Sequence, residues 1–284
     1  IDVPAERVKS MPALLGEADL VKTLQQLPGV AVGTEGMTGL YVRGGGADEN
    51  LYLLDGNPVF HVNPLLGFFS AFNPDAIKNT RFYKGSFPAE YGGRLSSVVD
   101  VRMNDGNRQE YHGNISVGLL SARANLEGPI VKDRSSFNVS VRRTWLDLIT
   151  GTALAIVNKN SDTKESFGYH FFDINAKVNH SFSERSRAYL SFYMGQDAFR
   201  QGSKEKHEDS DDMFLWRWGN LIGSAGWNYV FGQKLFGNLM VGYSRFRSHI
   251  RQEAKGYEIE GNRAERQSIK RDSRYKSEME DLSV

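Results

Sequence analysis

The chain has no cysteine. This excludes a disulfide framework and any thiolate zinc site, and it fits an oxidising compartment in which the fold needs no bridges. No apolar run approaches the ~18 residues of a membrane-spanning helix, which argues against a helical span. A membrane barrel stays open, because its strands alternate and average out polar, in keeping with a mildly negative mean hydropathy. An excess of one charge is also missing: 35 Lys and Arg stand against 34 Asp and Glu, a net charge of +1. Nucleic acid is therefore a poor partner. The six histidines form no H-x-x-x-H pair, and no G-x-S-x-G elbow is present. Gly44, Gly45 and Gly46 follow a strand, as in a phosphate loop, but a second strand comes next instead of a helix, and the lysine is missing. The chain reads as a non-enzyme without cofactor or metal.

What is present divides into two textures. Up to about residue 105 the elements are short and mixed. Leu20, Val21, Leu24 and Leu27 have helical spacing over Glu17–Leu27, and Pro28 and Gly29 stop the helix. Strands are predicted around Leu40–Arg43 and Leu51–Leu54, joined hairpin-like through Gly44–Asn50. Asp55 and Gly56 make a turn. Asn73 is placed to cap a short helix over Pro74–Ile77, and Ser97–Met103 reads as a closing strand.

From about Glu110 the period becomes two over segments of ten or more residues. Phe137, Val139 and Val141 alternate with Asn138, Ser140 and Arg142. Ile174, Ala176 and Val178 alternate with Asp173, Asn175, Lys177 and Asn179. A soluble sandwich would alternate in the same way. The connections carry more information. Turns near Gly128–Ser135, His180–Ser186 and Phe231–Lys234 are short, whereas polar loops are predicted over Asp147–Phe167, Gln196–Asp212 and Gln252–Gln267. Short turns on one rim and long loops on the other fit an outer-membrane barrel. Trp227, Tyr229 and Phe231 suit an interface belt. Phe214, Trp216 and Trp218 lie on the opposite face of that strand, so either a bulge near Gly219 flips the register, which is the favoured reading, or those rings face the lumen. The run Lys204–Asp212 could offer oxygen ligands to calcium, but it lacks ordered ligand spacing and reads as a solvated loop.

Three signatures recur in a fixed order: Val42-Arg43-Gly44 with Gly45, Leu54-Asp55-Gly56, and Tyr83-Lys84-Gly85 followed by Tyr91, Gly92 and Arg94. With Leu27-Pro28-Gly29-Val30 before them, residues 12–103 resemble the plug domain of TonB-dependent outer-membrane receptors. The pattern around Leu126–Ile130 looks most like receptors of the Bacteroidota. The subfamily that pairs with a surface lipoprotein for glycan import has a different sequence at the third signature. The resemblance implies an α+β plug domain (1–105) followed by antiparallel transmembrane β-barrel strands (106–284). It implies active import of a scarce solute across the outer membrane of a Gram-negative bacterium, driven by TonB through an N-terminal box upstream. Membrane lipid, the solute and a surface lipoprotein are the other partners it allows. A signalling receptor of the same family is the alternative, and a soluble all-β binding module the rival from another class.

Roughly seven strands and part of an eighth are expected after residue 108. A barrel of about eight strands fills its own interior, whereas about 22 strands leave room for a plug. The chain is thus expected to be a plug with the first third of an incomplete barrel, any leader lying upstream. By position, the resemblance points two plug loops at the ligand: Gly33–Thr38, with Thr34 and Glu35, and Val59–Phe72, with His61, Asn63, Phe68 and Phe69. The phenylalanines equally suit packing against the wall. Arg43, Arg81, Lys84 and Arg94 could pair with wall carboxylates and hold the gate shut, or be solvated charge.

Overall fold

A computed structural model describes residues 1–11, 18–33, 39–64, 67, 69–205, 210–259 and 266–284. The first hundred residues build a five-stranded sheet from β1 (Asp2–Pro4), β4 (Asn50–Leu54), β5 (Asn57–Pro58), β6 (Ile77–Tyr83) and β7 (Ser97–Met103), in the order β1-β6-β7-β4-β5. Only β4 and β7 run parallel. Helices α1 (Ala5–Ser10) and α2 (Leu20–Gln25) cover it. Asp19 caps α2, its Oδ1 accepting the Lys22 N–H at 3.0 Å. The apolar stripe Leu20, Val21 and Leu24 is fully buried with Phe82, Val99 and Val101.

Two local expectations fail here. The glycine run does not join a hairpin: β3 (Tyr41–Val42) pairs with β2 (Val30–Ala31), while β4 belongs to the main sheet. The run spans two sheets because Ala47–Glu49 form a 3₁₀ turn that redirects the chain. Nor is 74–77 a helix. Asn73 Oδ1 accepts the Asp75 N–H at 3.1 Å and Asn73 O accepts the Ala76 N–H at 3.0 Å. This is an Asx-type turn, from which Ile77 enters β6 directly.

Gly106, at φ +78°, then leads into the second sheet. Its eight antiparallel strands follow chain order: β8 (His112–Val117), β9 (Ser121–Val131), β10 (Ser135–Thr144), β11 (Thr163–Ser183), β12 (Ser186–Glu205), β13 (Asp211–Val230), β14 (Phe236–Ile259) and β15 (Arg266–Ser283). The sheet is open, with β8 and β15 as its edges. The three short turns stand where expected. The long loops do not: α3 (Leu146–Val157) fills most of the first, and the ladders Thr163↔Glu205 and Lys204↔Asp211 carry strands through most of the second. Both faces of these extensions are polar, so no period of two announces them, yet their backbones remain paired.

The polarity of the sheet is inverted. On β10 and β11 the covered side chains include Asn138, Ser140, Arg142, Asp173, Asn175, Lys177 and Asn179, joined at one end of β11 by Tyr169 and Phe171, while Val139, Val141 and Val178 are 38%, 42% and 42% exposed. The polar face lies on the plug and the apolar face looks outward. A soluble sandwich places them the other way round.

Candidate functional site

The site is the seam between plug and wall. Its upper part is the loop after β5. His61 N–H donates to Asn220 Oδ1 at 3.3 Å, and Asn220 Nδ2 donates to His61 O at 2.6 Å. Trp218 Nε1–H donates to His61 Nε2 at 2.9 Å. That bond requires a neutral imidazole with its proton on Nδ1, and burial lowers the His61 pKa to about 4. The Trp218 ring stands edge-on to His61 at 6.0 Å, with Phe246 at 5.9 Å on another side. The register of β13 is continuous from Asp211 to Tyr229 against β12 and to Val230 against β14. No bulge flips the strand near Gly219, so Phe214, Trp216 and Trp218 stay on the lumen face, and Trp218 reaches the plug from there.

Phe69 is buried in a cluster with Tyr169, Phe171 and Trp218. Asn63 is half-buried, whereas Thr34, Glu35 and Phe68 lie outside the described residues. Ser70, next to Phe69, links plug to wall: Asp19 Oδ2 accepts its N–H at 2.5 Å, and Arg142 donates to its carbonyl at 3.0 Å. Burial raises the Asp19 pKa against the lowering effect of the N–H groups of Lys22 and Ser70. Arg142 is also paired with Asp173, Nε to Oδ2, at 2.6 Å.

Lower down, buried ion pairs cross the seam with a polarity opposite to that expected. The plug supplies the anions and the wall the cations. Lys177 of β11 reaches Asp55 Oδ2 at 3.2 Å and Asp105 Oδ1 at 3.1 Å. Arg123 of β9 reaches Asp75 Oδ2 at 2.8 Å, and Lys9 of α1 reaches Asp75 Oδ1 at 2.9 Å. Burial pushes the Asp75 carboxyl up, but the hydrogen bond and charge of Lys9 and the charge of Arg123 outweigh it and leave the pKa below its ordinary value.

The basic signature residues turn elsewhere. Arg81 faces Asp2 at 3.8 Å within the plug, Lys84 Nζ donates to Pro28 O at 2.6 Å, and Arg94 donates to the carbonyl of Gly93 at 2.8 Å. Arg43 is exposed at φ 51°. Among the described residues none of these side chains pairs with a wall carboxylate: Arg81 stands in β6 and the other three on turns or loops, each with its contacts inside the plug. Other signature residues shape the plug itself. Gly44, Gly56 and Gly85 have positive φ. Gly45 packs against Ser96 too closely for a side chain, and Gly92 has open space. Tyr91 OH donates to the buried Asp100 at 3.1 Å. Asp55, in the second signature, is the one sequence candidate among the ionisable signature residues seen to touch the wall. Sequence reading missed Lys177, Arg142, Arg123 and Asp75. Arg123, Arg142 and Lys177 stand on the polar faces of β9, β10 and β11 and Asp75 in the plug turn after Asn73, and nothing local in the sequence marks them as partners. Among the described residues no cluster of His, Asp and Glu is suited to a metal.

Residues 7–99 match the family described as the TonB-dependent Receptor Plug Domain. No curated protein matches the chain. Among solved structures, the ferric citrate transporter FecA in its unliganded form is similar at 10% identity with a TM-score of 0.52, over 100% of this chain and 53% of that one. The siderophore receptor PirA from Acinetobacter baumannii is similar at 15% identity with a TM-score of 0.47, over 98% and 54%. The chain thus spans about half the length of the structures it matches. At these identities the likeness concerns fold, and the FecA match carries it. The chain therefore joins a region that matches the TonB-dependent receptor plug domain to an open antiparallel sheet of eight strands, a fold similar to that of FecA.

Proposed function

We propose that the chain is part of an outer-membrane importer in which the plug, residues 1–105, gates a barrel whose wall begins with residues 106–284. One observation carries this: the wall is inside out, with its polar face on the plug and Val139, Val141, Val178, Leu190 and Val241 exposed on the other. Such a face is costly in water and favourable in a hydrocarbon layer. The open edges at β8 and β15 need further strands, since unpaired backbone in lipid costs several kcal/mol per group. TonB would supply the work that shifts the plug, and a solute captured above His61 and Phe69 would pass along the seam. The bonds across that seam are hydrogen bonds and ion pairs, so import needs no covalent chemistry. The Bacteroidota-like turn pattern and a lipoprotein partner belong to this same reading. A soluble module would bury the face that here looks outward.

The absence of cysteine gives a clean test. Single cysteines replacing Val141, Val178 or Val241 in membrane-inserted protein should resist a water-soluble maleimide, because a thiol in hydrocarbon does not ionise, and should react once lipid is replaced by denaturant. Asn179→Cys should resist it while the plug is seated. Rapid labelling of the three valine sites from water would end the importer reading.

A further inference from the structure

The outward face of the wall carries a groove that neither plug nor seam explains. Alternation from the inward Trp218 and Asn220 puts Arg217, Gly219 and Leu221 of β13 outside. Register places Met194 and Gln196 of β12 and Arg245, Arg247 and His249 of β14 on the same face. Together they line a shallow cavity of about 290 Å³. Towards the short turns, the outward side chains are apolar and exposed, among them Leu190, Phe192, Trp227, Leu239 and Val241. Towards the long hairpins charged side chains such as Arg200, Arg251 and Glu253 enter among them, beside Met213 and Leu215. The groove straddles that boundary: Met194, Leu221 and Arg245 share its lower row, and Arg247 and then Arg217 stand in the rows above.

Three arginines and His249 stand there against two carboxylates, Glu278 and Glu280, the latter opposite Arg245. Glu278 is shared by Arg245, at 3.9 Å, and Arg247. Arg217 and His249 make no ion pair among the described residues. A guanidinium binds a phosphate through two parallel N–H bonds, and arginine keeps its charge at any physiological pH.

We propose that this groove binds the anionic phosphate headgroup of a membrane lipid, with the acyl chains descending over Met194 and Leu221 onto the apolar band. The proposal rests on the wall being inserted in a bilayer. The occupant is a lipid because the cations stand at the upper limit of an apolar face that continues directly beneath them. A free phosphate would have no use for that continuity.

The test uses the full-length protein in micelles holding equal amounts of phosphatidylglycerol and phosphatidylcholine, with retained lipids counted by native mass spectrometry. Each cation near a bilayer surface is worth about fivefold in binding to anionic lipid. We expect retention of phosphatidylglycerol over phosphatidylcholine by about fivefold or more. The double variant R217A/R247A should retain the two lipids equally, whereas K234A, on a short turn at the opposite rim, should behave as wild type. No preference in the wild type, a preference surviving the double variant, or an equal loss in K234A would each overturn the site. Inorganic phosphate displacing phosphatidylglycerol at millimolar concentration would show anion capture without lipid, and would overturn it too. Failure of the protein to enter a bilayer at all would instead overturn the importer reading.

Discussion

Lys177 Nζ lies 3.2 Å from Asp55 Oδ2 with both side chains almost fully buried, and the same ammonium reaches Asp105 Oδ1 at 3.1 Å. One wall cation thus holds a plug turn and the segment that leads out of the plug. Lys177→Met leaves Asp55 charged and buried, which should weaken seating of the plug by about 3–5 kcal/mol. Adding Asp55→Asn should restore most of that, since asparagine tolerates the left-handed φ of 45° at this turn. A urea titration read by protease cleavage within the plug would measure both. Equal damage in the single and double variants would remove the pair from the account.

His61 makes the upper seam sensitive to acid. Its pKa falls from the ordinary 6.5 to about 4 in the folded state. The unfolded state therefore binds more protons between these values, and stability rises with pH across that window. The contribution is present above pH 6.5 and is lost as pH drops towards 4, to a total on the order of 3 kcal/mol. Tryptophan fluorescence should report release of Trp218 between pH 6 and 4. His61→Gln should flatten that response while leaving the spectrum at pH 8 close to wild type.

Gly106→Ala should destabilise the join between plug and barrel by about 1–3 kcal/mol. The residue has a positive φ, and an added Cβ would run into the backbone carbonyl of Phe137. Gly92→Ala is the contrasting case, with no atom within 4 Å of the added carbon. It should stay within about 0.5 kcal/mol of wild type. Thermal unfolding of the two variants side by side decides it.

Arg142→Lys should not be conservative. The guanidinium serves Asp173 and the Ser70 carbonyl at once, and a lysine ammonium lacks that fork. Hydrogen exchange at Phe69–Phe72 should accelerate by about tenfold, matching a loss of about 1.4 kcal/mol. Unchanged exchange would mean that the Asp19 contact alone holds the loop.

The plug signatures, the eight alternating segments and the short turns were legible because each has a local cause: glycine at positive φ, aspartate in a turn, a period of two. The pairing of β3 with β2 was not, since nothing local marks which sheet a two-residue strand will join. The extended hairpins around Glu205 and Asp211 were hidden because solvent on both faces erases the alternation. The partners Lys177–Asp55 and Arg123–Asp75 are separated by 122 and 48 positions in the chain. Only docking brings them together, so neither sign nor spacing in the sequence named them. Trp218 was visible as a lumen candidate, but its hydrogen bond to His61 depends on unbroken register over twenty residues of β13.

The inverted wall also decides what happens when plug and barrel separate. Asn138, Asn175, Asn179, Lys177 and Asp55 all meet at that boundary, and each can exchange its present partner for water. Parting the two bodies along those groups is closer to wetting a hydrophilic crack, and only where Phe69 meets Tyr169, Phe171 and Trp218 is an oily core torn open. Under the proposed gating, a directed pull would wet those polar contacts, and the same groups would find one another again when the pull stops.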